Sequence, residues 1–109
     1  MHREFIETEL FSKSWKAMDL TDDDMLRLQD QLIDNPDMGD VIQNTNGARK
    51  VRFALSNRGK SNSTRVIYVD IVVKQQIYFL LAYPKNRQDN LTESQKKEIR
   101  NLINLLKGE

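Results

Sequence analysis

The clearest alternation in the chain runs from Ala48 to Leu55, where Val51, Phe53 and Leu55 fall on one parity and Lys50, Arg52 and Ala54 on the other. Successive side chains of a strand point to opposite faces, so this stretch predicts a strand with one apolar and one charged face. Arg65 to Val73 is rich in β-branched residues and predicts a second strand. Ile77 to Tyr83 is apolar at every position, as expected of a strand covered on both faces, and Pro84 closes it. Lys74-Gln75 leaves room only for a tight connection, and short connections favour an antiparallel meander over parallel crossovers.

Helical spacing occupies the two ends of the chain. After a short strand at Arg3–Ile6, Thr8 caps a helix reaching Met18, with Leu10, Phe11, Trp15 and Met18 on one side. Thr21 followed by Asp22, Asp23 and Asp24 starts a second helix: the hydroxyl caps free N–H groups and the acids face the positive end of the dipole. Met25, Leu28, Leu32 and Ile33 form its stripe, and Asn35-Pro36 stops it. Asp37–Gly47 reads as a linker and Ser56–Ser63 as a polar, basic loop. Thr92 and Gln95 fit a capping box for the last helix, whose stripe is Ile99, Leu102, Ile103 and Leu106. The expectation is a single α+β domain over residues 1–109, with two N-terminal helices and a C-terminal helix on one side of an antiparallel sheet.

Composition narrows the chemistry. The chain has no cysteine and one histidine, His2, at its very start. Thiol nucleophiles, thiolate metal sites and a histidine-based triad are therefore poor fits, and no phosphate-binding glycine loop is present. The longest apolar run, Ile77–Tyr83, falls far short of the roughly 20 residues of a membrane span. The opening Met-His-Arg-Glu-Phe carries no signal-peptide pattern, so a cytoplasmic protein without metal or cofactor is expected. A net charge of +1 conceals a division: residues 1–40 sum to −7 and residues 41–109 to +8. Between Arg49 and Arg65 stand six cations and no acid: Arg49, Lys50, Arg52, Arg58, Lys60 and Arg65. With Lys85 and Arg87 after the third strand, they could line a groove that grips a sugar-phosphate backbone. Tyr68, Tyr78 or Tyr83 could add a stacking platform, or belong to the core.

The segment Asp40-Val41-Ile42-Gln43-Asn44-Thr45-Asn46-Gly47-Ala48-Arg49-Lys50-Val51-Arg52 resembles the corresponding stretch of RelE/HigB-type toxins of bacterial toxin–antitoxin pairs. Thr64-Arg65-Val66-Ile67-Tyr68, Tyr78–Asn86 and the helix start Leu91-Thr92 resemble later pieces of that family, in order and at matching spacing. The resemblance implies a compact ribosome-dependent endoribonuclease that cleaves messenger RNA without metal, the RNA's own 2′-hydroxyl attacking the adjacent phosphate. It also implies a cognate helix-turn-helix antitoxin, with DNA contacted only through that complex. Carried over by position, Lys50, Arg52, Arg65 and Lys85 are the implied catalytic set, with Arg52 and Arg65 on phosphate and Lys50 in proton transfer. Arg49, Arg58, Lys60, Arg87, Tyr68 and Tyr83 are the implied RNA-binding set. The chain departs from the family pattern in having no tyrosine after Tyr83, Arg52 where some members carry lysine, and Pro84 where glycine is common. A non-catalytic RNA- or ribosome-binding module on the same scaffold, and a protein-interaction domain with a basic patch, are the other readings of the same cations.

Overall fold

The computed structural model of the protein describes residues 2–54, 63–88 and 90–108. Among the described residues, five strands form one sheet: β1 (Glu4–Glu7), β2 (Asp40–Val41), β3 (Arg49–Phe53), β4 (Thr64–Ile71) and β5 (Gln76–Pro84). Their order is β1-β5-β4-β3-β2. The β3–β4–β5 meander is antiparallel as expected, whereas β1 runs parallel to β5, with Phe5 opposite Ile77. The sheet is therefore mixed. β2, inside the predicted linker, is too short to leave a pattern. A turn of 3-10 helix at Val72–Lys74 and Gln75 at φ 53° make the tight β4–β5 connection.

Among the described residues, three helices, α1 (Glu9–Ala17), α2 (Asp22–Asp34) and α3 (Glu93–Lys107), cover the sheet. All three start as their threonines predict. Thr8 Oγ1 accepts from Phe11 N (3.2 Å) and donates to Phe79 O (2.9 Å), so one hydroxyl both caps α1 and docks it on β5. Thr21 with Asp24, and Thr92 with Gln95, form reciprocal capping boxes.

The helices do not share a side. Phe11, Trp15, Leu28 and Leu32 of α1 and α2 pack with Val51, Phe53, Val66, Tyr68 and Phe79. Ile99 and Ile103 of α3 pack on the other face with Ile67, Val69, Leu80 and Tyr83. The expectation of one covered face gives way because β4 and β5 are apolar at both parities, and bare apolar sheet in water is unfavourable. The first core is aromatic: Phe11 stacks on Phe79 with ring centres 5.0 Å apart and on Trp15 at 5.4 Å.

The register carries one irregularity. Ile67 pairs with Leu81 but Tyr68 with Phe79, so Leu80 is an extra residue in β5. This bulge changes parity: Ile77 and Phe79 face α1, and beyond it Ala82 faces the same way while Tyr83 faces α3.

Tyr68, expected as an RNA-stacking ring, is instead fully buried at 0% exposure. Its hydroxyl donates to Pro36 O (2.7 Å) and accepts from Gly39 N (3.1 Å). It thus fastens the chain between α2 and β3 onto the sheet. Gly39 is required there by close approach, since a Cβ would lie 2.9 Å from Lys50 O and 3.1 Å from the Tyr68 ring.

Tyr68→Phe is expected to cost about 1–3 kcal/mol in urea unfolding, because it strands a buried N–H and carbonyl; unchanged stability would contradict the role given to the hydroxyl. Burial pushes the Asp24 carboxyl up, but bonds from Thr21 N–H, Arg27 and the Thr21 hydroxyl outweigh it and hold the group below its ordinary value. A depressed folded pKa means the contribution is present above the unfolded value of about 3.9 and is lost as pH falls through the lower folded one. Asp24→Asn should therefore flatten the acid side of the stability–pH curve below about pH 4, as read by thermal unfolding.

Candidate nucleic-acid interface

Burial of Val51 and Phe53 against α1 and α2 leaves the opposite parity, Ala48 just before β3 and Lys50 and Arg52 within it, on the α3 face. Cross-strand pairing then selects their neighbours. Arg52 stands opposite Arg65 on β4, and Arg65 opposite Tyr83 on β5. Paired residues of antiparallel strands point the same way with Cβ atoms about 4.5–5.5 Å apart. Arg52, Arg65 and Tyr83 thus make one row across three strands, with Lys50 two residues back along β3 on the same face.

The members of the row differ in freedom. Arg52 is exposed and Lys50 half-buried, whereas Arg65 and Tyr83 are each only 6% exposed. A guanidinium sunk into a sheet beside a like charge is unfavourable for folding by itself. An anion offers such a pair complementary charge, and the planar guanidinium suits bidentate contact with it. Lys50 Nζ donates to Asn90 Oδ1 at 2.9 Å, reaching from β3 to the residue two before the α3 cap. Lys85 lies at the same end of the sheet as Arg65: its backbone N–H donates to Ser63 O (3.2 Å), and its side chain is exposed. Arg87 is exposed in the turn after β5, its N–H donating to Pro84 O (3.1 Å).

Other expected contacts are placed elsewhere. Arg49 has the opposite parity to Lys50, and its guanidinium donates to Gly39 O (2.7 Å) and Asp37 O (3.2 Å). It works with Tyr68 in fastening the α2–β3 connection, away from the row. Tyr68 is withdrawn as a stacking residue by its burial. Tyr83 keeps its place in the row, but its ring is packed in the α3-side core, not laid open. Tyr78 is also on that side, its hydroxyl donating to Gln76 Oε1 (2.8 Å). Arg58 and Lys60 lie outside the described residues. From the sequence Asn90 belongs only to the start of the last helix and has no site role; folding brings it across 40 residues to Lys50.

The family model described as the RelE toxin of the RelE/RelB toxin–antitoxin system matches residues 4–108. The chain belongs to the RelE toxin family. It is also similar to the structure of E. coli toxin RelE, a double arginine-to-alanine mutant in the free state, at 15% identity and a TM-score of 0.60. That likeness covers 90% of this chain and 97% of the other, and shows the same α+β fold. As a RelE-family member the chain is a toxin of a toxin–antitoxin pair. Among the described residues, no helix is long and apolar enough to cross a membrane.

The row separates two kinds of arginine. Arg52→Ala should leave the unfolding free energy within about 0.5 kcal/mol of the parent, as for exposed positions generally. Arg65→Ala should cost about 1–3 kcal/mol through lost packing of its buried stem. Parallel urea titrations test this, and equal losses at the two positions would contradict the assigned burial.

Proposed function

We propose that this RelE-family toxin is a ribosome-dependent endoribonuclease that cuts messenger RNA with the substrate's own 2′-hydroxyl as nucleophile. The observation that supports this best is the shared face of Lys50, Arg52 and Arg65, two cations side by side and a third one pleat away. Arg52 and Arg65 grip the scissile phosphate and take up the extra negative charge of the phosphorane. The 2′-oxygen forms its bond to phosphorus as the bond to the 5′-oxygen breaks. The 2′-hydroxyl gives up its proton and the 5′-oxygen takes one up, so the products are a 2′,3′-cyclic phosphate, which water can open to a 3′-phosphate, and a 5′-hydroxyl. Lys50 is the group that moves a proton, help worth about 10²–10⁴-fold in rate. The nucleophile and leaving group both belong to the RNA, so the protein needs neither a serine nor a cysteine, and the reading requires no metal.

Lys85 holds phosphate at the end of the row, and Arg87, Arg58 and Lys60 track the flanking backbone by charge. The ribosome presents the message as an extended single strand. A cognate helix-turn-helix antitoxin silences the enzyme in the cytoplasm, and DNA is met only through that complex.

The test is induction of the parent, Arg52→Ala and Arg65→Lys in a bacterial host, with transcript ends mapped. The parent should arrest growth and cut messages. Arg52→Ala should lower the cleavage rate on ribosome-bound message by about 10²–10³-fold, the usual cost of losing one transition-state donor. Arg65→Lys keeps charge but loses the bidentate fork, and should also cut more slowly. Cleavage at the parental rate in both would overturn the assignment. Growth arrest with intact transcripts would favour the non-catalytic ribosome-binding reading.

A further inference from the structure

We propose that Asn90 is a positioning residue for Lys50, holding its ammonium at the start of α3 so that it meets the scissile linkage in one orientation. The proposal rests on the reading of Lys50 as the proton-transfer group. Lysine carries its charge on a stem with many rotamers, and a proton-transfer group that wanders is rarely aligned when the bond breaks. Here the ammonium is tethered, Nζ to Asn90 Oδ1 at 2.9 Å.

The tether is itself anchored. Gln88 Nε2 donates to Asn90 O and to Gln95 Oε1, both at 3.0 Å. Gln95 Oε1 also accepts from Thr92 N (3.0 Å), and Thr92 Oγ1 accepts from Gln95 N (3.1 Å), closing the α3 capping box. Next to Asn90, Leu91 is buried in the α3-side core. The cap of α3 therefore does more than start a helix. It fixes a side-chain amide across from β3, where that amide meets the lysine.

The identity of the acceptor matters. Lys50 and Asn90 line an open cleft of about 460 Å³ whose wall also carries Asp40, Glu93 and Lys96. A carboxylate there could capture the ammonium as an ion pair and reduce its attraction for phosphate. An amide oxygen accepts a hydrogen bond without bringing a negative charge of its own. Asn90 thus orients the Lys50 ammonium through a neutral partner.

The experiment is a double-mutant cycle on ribosome-bound message, using Asn90→Ala, Lys50→Ala and both together, followed to long times. Asn90→Ala should slow cleavage at saturating substrate by about tenfold with apparent affinity unchanged within about twofold. In the Lys50→Ala background the same change should have no further effect. An equal loss in both backgrounds would overturn the proposal, since Asn90 would then act on the fold independently of Lys50. Parental cleavage by Asn90→Ala in a background where Lys50→Ala is impaired would overturn it too, leaving the role of Lys50 standing. Parental cleavage by Lys50→Ala would instead remove the reading on which the proposal depends.

Discussion

The register of β3 against β4 is the constraint on which the rest depends. Val51 pairs with Val66 and Phe53 with Thr64, which places the apolar parity of β3 against the aromatic core of α1 and α2. A slip of one residue would turn Lys50 and Arg52 into that core and Val51 and Phe53 out of it, which the burial free energy forbids. The pairing that satisfies the core is therefore the pairing that sets Arg52 beside Arg65. Packing on one face builds the charged site on the other, with no separate device needed to assemble it.

Two further elements adjust this plan. The extra residue Leu80 reverses the parity of β5, so that Tyr83 joins the row beside Arg65 when strict alternation from Ile77 would have sent it to the α1 side. The connection between α2 and β3 is fastened by Tyr68 and Arg49, through the carbonyls of Pro36, Asp37 and Gly39 and the N–H of Gly39. Both residues carry the chemistry of RNA contacts, an aromatic ring and a guanidinium. Their parity commits them to architecture, because at those positions they meet backbone groups of the connection between α2 and β3.

The second core has a consequence for the site. α3 covers the face that carries Lys50, Arg52 and Arg65, and its capping residues stand at the edge of that face. One helix thus shields the apolar stretch of β4 and β5 and brings Asn90 within hydrogen-bond distance of Lys50. The charge division of the chain is less sharp in space than along the sequence, since Asp40 of the acidic segment borders the same cleft as Lys50.

Periodicity, capping residues and short connections determined the strand β3, the charged parity of Lys50 and Arg52, the meander that follows, and the three helix starts at Thr8, Thr21 and Thr92. These are properties of residues close together in the chain, where side-chain spacing and capping chemistry act without reference to the fold. The parallel pairing of β1, the two-residue β2, the placing of α3 opposite α1 and α2, and the bulge at Leu80 were decided by tertiary structure. So were the fates of Arg49, Tyr68 and Asn90. Each depends on which distant backbone or side-chain group lies within about 3 Å, and a local pattern cannot carry that distance.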